Sequence, residues 1–565
     1  MSLRLAFAAL AVGFFAGIAI ADSPIERAIS LAPKSATLHI AVQDARSHWA
    51  NWKASPFAAT FLRSDFARSA PVAELLESLR KFDGVLNEHL ESSLQQLVDD
   101  VFGDAAVLSF VPEAGTEGYT VLTVVAPKPD AMAAFVAKLN DVQSKSGELK
   151  AVREKKHGEA AYTERERADG RSDYIWLGAK GEGAYTSSEA AIKLVIDRSD
   201  KPETSRASAS WKTLTVDAKA GTKNPAVAVI FDPKALVADA EAREKSTDDP
   251  AAKAFLKQIR AIWNGIDSLL LTASFDTEVT LAIHAKIDRK TMPKEMLPLL
   301  DVPKTSAAIW QSIPNVALFA VGGRLDASRW WPVLTSFLPG DIANQWNAVG
   351  LKTIAPAIGK EAAKELGTGS TTEWGFWLMV PEGLQIAPDW CLAVRLPDAG
   401  AGLLAGLDFL VQSLRVEYHK SHDDQFDVTD EKDGDATFKS ISNDAVLPVG
   451  IRPSFGLRGS DVVVASSPLV WKRYRQPAKP GELDAPLAFL RGAAFAKYWK
   501  ERRADLAPIL AGWTGETKEA VETQFDELFQ MLELIDRLEV RTAGDAGTGT
   551  IAIKLRIVPI RPLKK

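Results

Sequence analysis

The chain has 565 residues, 46% apolar and 25% charged, with a formal net charge of -6 and an isoelectric point of 5.8. At roughly 100–200 residues per domain, the length implies two to four domains of ordinary globular composition. The acidic balance excludes a chain held to nucleic acid by general basicity. The lone cysteine, Cys391, excludes an internal disulfide, a haem-attachment motif, a cysteine zinc site and a CxxC redox site.

The first predicted element is a targeting segment. "MSLRLAFAALAVGFFAGIAIADS" carries one positive charge at Arg4, an apolar run, and Ala19-Ile20-Ala21 ahead of Asp22. That pattern predicts a signal peptide over residues 1–21, cleaved after Ala21, and an exported protein, periplasmic or extracellular. No cysteine at the junction offers a lipid anchor. No later stretch reaches about 18 apolar residues, so no membrane span is expected after cleavage.

Next, an apolar strand in "LHIAVQDARSHWANW" (38–52) runs into Asp44-Ala45 and a Trp-rich helical segment. Helices are predicted over 72–101 and 130–140 from Leu and Val at three- and four-residue spacing, with a strand at "YTVLTVVA" between them. His157-Gly158 and Lys180-Gly181 mark hairpin turns. The same order then returns. "LFAVGGRLDASRWWPVL" (318–334) matches the first strand and helix. "MVPEGLQIAPDWCLAVRLPDAGAGLLAGLDFL" (379–410) matches "FVPEAGTEGYTVLTVVAPKPDAMAAFVAKL" (110–139). "DEKDGDATF" (430–438) matches "EKKHGEAAY" (154–162), and "GLRGSDVVVASSPLVWKRY" (456–474) matches "LGAKGEGAYTSSEAAIKLV" (177–195). Finally, "LIDRLEVRTAGDAGTGTIAIKLRI" (534–557) matches "GIDSLLLTASFDTEVTLAIHAKI" (265–287). The offsets agree: 282 from Asp44 to Asp326, 269 from Pro112 to Pro381, 276 from Gly158 to Gly434 and 269 from Ile266 to Ile535. The chain therefore reads as two homologous halves, 22–290 and 313–565, joined by a proline-bearing linker at 291–312. Each half is expected to be α+β, an antiparallel sheet of hairpins with covering helices.

The alignment of the halves filters the candidate sites. Ser187, Ser188, Glu189 and Lys193 offer a hydroxyl, a carboxylate and an amine together. However, Ser188 aligns with Ser467, and Glu189 with Pro468. Serine followed by proline is a helix cap followed by the first helical position, so both serines are read as structural N-caps. Neither S-x-x-K nor G-x-S-x-G is present. "GAKGEGAY" lacks the third glycine of a dinucleotide loop and reads as a hairpin turn. The histidines cluster once, in "HKSHDD" (419–424), where His419, His422 and Asp423 form a weak metal candidate set. "DVTDEKDGDATFKS" fails the calcium-loop pattern, because Ser440 stands at its twelfth position. Cys391 aligns with Val121 on an apolar strand and reads as a small buried thiol. Of the 15 tryptophans, Trp330, Trp331, Trp374 and Trp377 are the candidates for a partner or glycan surface, against the alternative of core packing.

The segments "SLAPKSATLHIAVQD" (30–44), "HWANWKASPFAATFL" (48–62), "VFGDAAVLSFVP" (101–112) and "YIWLGAKGEGAYTSSEAAIKLV" (174–195) resemble a group of exported bacterial proteins classed only as domains of unknown function. The resemblance implies location and architecture and brings no site residue or cofactor. The sequence thus points to an exported, non-catalytic binding or scaffold protein of the bacterial envelope. Its expected partner is an envelope protein or glycan, met on a surface or in a cleft between the halves. The alternatives are a hydrolase with a dispersed site, and metal or carbohydrate binding through the second half.

Overall fold

The computed structural model describes residues 23–113, 118–201, 206–212, 225–275, 278–300, 307–324, 333, 335–338, 344, 372–382, 385–397, 399–422, 426–448, 450–476, 486–545 and 549–560. The expected signal peptide, Trp330, Trp331 and Asp423 lie outside them.

The first run of strands is β1 Leu38–Gln43, β2 Ala105–Val111, β3 Tyr119–Val125, β4 Leu149–His157, β5 Ala160–Arg167, β6 Ser172–Leu177, β7 Glu182–Thr186, β8 Val227–Phe231, β9 Ile266–Phe275 and β10 Val279–Ile287. The second is β11 Phe319–Arg324, β12 Glu373–Met379, β13 Asp389–Arg395, β14 Asp427–Asp433, β15 Ala436–Ser442, β16 Ser454–Arg458, β17 Asp461–Ala465, β18 Ala488–Leu490, β19 Ile535–Asp545 and β20 Thr550–Pro559.

Among the described residues every pairing is antiparallel, and together the pairings make one sheet of 20 strands. In the first run β4, β5, β6 and β7 form a meander, β7 joins β3, and β3-β2-β1-β8-β9-β10 follow in space. The second run repeats those pairings strand for strand: β14 to β17 form the meander, β17 joins β13, and β13-β12-β11-β18-β19-β20 follow. The runs meet where β10 pairs with β20, from Val279 opposite Ile557 to Lys286 opposite Thr550. The α+β class is therefore realised as a single continuous sheet, with β4 and β14 as its outer edges. The central strands "VTLAIHAKI" and "TIAIKLRIVP" alternate, and their pairing gathers Val279, Leu281, Ile283, Ile551, Ile553, Leu555 and Ile557 on one face. The edges, "LKAVREKKH" and "DVTDEKD", are charged, as strands ending in solvent tend to be.

Residues directly opposite one another share a face, so the ladders fix what each face carries. On one face the helices Pro24–Leu31 and Glu189–Asp200 bury Ala41, Val107, Val121, Ala184 and Leu270, while the helix Pro468–Arg473 buries Trp377, Cys391, Val463 and Phe438. On the opposite face the helices Ala70–Leu90 and Pro129–Lys145 cover Ala106 and Val124, and the helices Gly492–Thr514 and Lys518–Leu532 cover Leu538 and Ile557.

Two local departures from expectation have clear causes. The helix expected over 72–101 stops at Leu90, where Glu91 turns left-handed with φ 48. Asp83 accepts the Leu94 N–H at 2.6 Å, and Ser93 with Gln96 starts a new turn through a capping box. Part of the expected linker is also packed. Ile309 is fully buried, and its N–H reaches Glu373 Oε2 at 3.2 Å.

Candidate functional site

The serine cluster that could pass for a nucleophile is a helix start. Ser188 Oγ accepts the Ala191 N–H at 3.3 Å, and Thr186 Oγ1 accepts the Ser188 N–H at 3.2 Å. Ser467 does the same for Val470 at 3.3 Å. Glu189 is not poised as a base. Tyr162 donates to its Oε1 at 2.6 Å, and Lys155 and Lys193 approach at 3.2 Å each. That donor set, with the tyrosine bond largest, holds the carboxyl down at about 2. Cys391 sits on β13 opposite Ala465 at 1% exposure, and burial pushes its thiol far above the usual range.

His419 and His422 close the helix Gly400–Tyr418. His422 stacks on Tyr418 with ring centroids 4.2 Å apart, and its Nδ1 lies 3.2 Å from the Tyr418 carbonyl. Among the described residues, no group of three or more His, Cys, Asp or Glu side chains could hold a metal ion. Trp377 needs correcting as a surface candidate. It is 2% exposed, opposite Cys391 and stacked on Tyr474 at 6.1 Å. Alternation along β12 puts Trp374 on the other face, opposite Gly323 and Val394 and half-buried.

Two features were not found from the sequence. The first is a rung of charges at the end of the second run. Arg324 opposes Glu373, Glu373 opposes Arg395, Arg395 opposes Asp461, and Asp461 opposes Arg458. Arg395 Nε donates to Asp461 Oδ1 at 2.9 Å and its Nη1 lies 3.8 Å from Glu373, while Tyr474 donates to Asp461 Oδ2 at 2.6 Å. Arg458 reaches on to Asp433. Asp461 is fully buried, and pairing it with an arginine and a phenol offsets the cost of removing its charge from water. In the first run the corresponding positions are Gln43, Ala105, Val125 and Glu182, and Glu182 takes Arg27 from the N-terminal helix instead.

The second feature lies where the runs meet. On the face that carries Leu538 and Ile557, Leu271 opposes Ile283 and Ile283 opposes Ile553, with Leu281 beside them. These four side chains keep 42%, 48%, 49% and 40% exposure at the middle of the sheet. An ordinary sheet face would bury such residues. On the reverse face Arg556 ties the runs together: its Nε and Nη2 donate to the two oxygens of Glu278 at 3.0 and 2.8 Å, and its Nη1 donates to Glu539 at 3.0 Å. The available sequence signal was the alternation in β10 and β20, which puts Val279, Leu281, Ile283, Ile551, Ile553, Leu555 and Ile557 at one parity.

No family model and no curated protein matches the chain. Among solved structures, one titled "Structure of crystal form I of TP0453" is similar at 11% identity and a TM-score of 0.24, covering 49% of this chain and 83% of that one. So slight a likeness carries no argument about fold or function.

Ser188→Ala should lower stability by about 1 kcal/mol through the lost cap, read by denaturant unfolding. A second expectation concerns pH. Burial lowers His39 and His284 from 6.5 to about 4 each. Below pH 6.5 the unfolded chain takes up protons that these buried rings refuse, so stability falls as pH drops from 6.5 towards 4. His39→Gln should flatten that slope in thermal unfolding between pH 7 and 4.5.

Proposed function

We propose that the chain is an exported binding or scaffold protein, and that its recognition surface is the apolar strip at the junction of two duplicated halves. The observation that carries this reading is the exposure of Leu271, Leu281, Ile283 and Ile553, 40–49% each, on a central part of the sheet. Each such aliphatic side chain gains roughly 1.5–3 kcal/mol when fully withdrawn from water. A partner presenting an extended apolar segment would therefore find its driving force here. Duplication is supported by the recurrence of all nine within-run pairings and by the aligned sequence blocks. The non-catalytic reading rests on the Ser188 cap, the ion-paired Glu189 and the buried Cys391. Export rests on the signal-like N-terminus alone.

The test is binding of an environment-sensitive apolar dye, then competition by apolar peptides. Wild-type protein should bind the dye saturably. Ile283→Asp and Ile553→Asp should each weaken binding roughly tenfold, the loss of about 1.4 kcal/mol, while far-UV circular dichroism stays unchanged. Unaltered dye binding in both variants would remove the strip as the site.

A further inference from the structure

The sheet ends in two open edges. β4 is paired only with β5, and β14 only with β15, among the described residues. Val152, Arg153, Glu154 and Lys156 are exposed on one edge, and Thr429, Asp430 and Lys432 on the other. The two edges occupy equivalent places in the two runs and lead into equivalent turns, with Gly158 at φ 59 and Gly434 at φ 62.

Superposing those turns separates two kinds of position. On one face Val152, Glu154 and Lys156 correspond to Val428, Asp430 and Lys432, so residue type is kept. On the other face Lys155 opposes Tyr162 and Glu431 opposes Phe438, and there charge changes sign. Arg153, Lys155 and His157 correspond to Thr429, Glu431 and Asp433. One edge has become basic where its counterpart is acidic. Discouraging aggregation requires only that an edge be charged; opposite signs on the two edges do more than that.

We propose that β14 of one copy pairs antiparallel with β4 of a second copy, joining molecules head to tail through a continued sheet. The register that sets Lys155 opposite Glu431 also sets Arg153 opposite Asp433, Glu154 opposite Lys432 and Lys156 opposite Asp430. All four opposed charged pairs then have opposite signs. Pairing like edges fails on the same count. β4 centred on itself sets Lys155 against Lys155 or against Arg153, and β14 sets Glu431 against Glu431 or against Asp433.

The same register extends a pattern already present inside one molecule. The rung Arg324, Glu373, Arg395, Asp461, Arg458 alternates in sign, and Arg458 reaches across β15, where Ala436 opposes Asp433, to that aspartate. Arg153 of the second copy takes the next place, followed by Glu164, which opposes Arg153 on β5 with Nη1 and Oε2 3.4 Å apart. Because the contact uses a different edge on each molecule, each addition leaves one β4 and one β14 unpaired, and the assembly is an open chain or a closed ring.

The experiment is sedimentation velocity of the full chain over a range of concentrations at low and high salt. Wild-type protein should form species larger than the monomer that grow with concentration and retreat as salt screens the pairs. Lys156→Glu and Asp430→Lys should each shift association to roughly tenfold higher concentration. The two substitutions in one chain restore the opposed signs and should return association to the wild-type range. Circular dichroism and melting temperature establish that each variant is folded. A monomeric wild type at every concentration, single variants that associate as wild type, or a double variant without rescue would each overturn the proposal.

Discussion

The backbone ladder between β10 and β20 is the constraint on which the rest of the molecule depends. Without it each run would end in a long strand, apolar on one face, with its N–H and C=O groups facing water. With it those strands become the centre of a single sheet, and the burden of ending the sheet passes to β4 and β14, which are short of apolar residues and rich in charge. The fork of Arg556 onto Glu278, with its third nitrogen on Glu539, reinforces the junction on one face. On the other face the junction leaves Leu271, Leu281, Ile283 and Ile553 half in water.

The two runs reach the same pairing pattern with different interior chemistry. In the second, Asp461 is fully buried and is matched by Arg395 and Tyr474 in a rung of alternating charge. In the first, Gln43, Ala105 and Val125 take the rung positions, and Glu182 is neutralised by Arg27 from outside the sheet. The rung is therefore not a requirement of the fold. An isolated buried carboxylate would be costly, so each run pairs its own by the means its neighbours offer.

Much of the architecture was legible in the sequence because it rests on local pattern. The turns at Gly158 and Gly434 are marked by glycine between charged, alternating segments, and both adopt positive φ. The caps at Ser188 and Ser467 were legible because a hydroxyl before a helical run has a short-range partner, and Pro468 fixed the reading of its equivalent. Trp374 and Trp377 were legible only in part. Alternation puts them on opposite faces, but only the ladder tells which face is packed, and Trp377 proved to be core. The charge rung was invisible because its members lie on strands far apart in sequence, and their opposition depends on register. The pairing of the two runs of strands was equally hidden, since nothing local in "VTLAIHAKI" names "TIAIKLRIVP" as its neighbour.

Native-state hydrogen exchange tests the central claim most directly. If β10 and β20 are interior strands of one sheet, amides from Val279 to Lys286 and from Thr550 to Ile557 should exchange among the slowest in the molecule and open together. Exchange of those amides as fast as in the edge strands β4 and β14 would contradict the account, because the two runs would then be separate bodies with frayed ends.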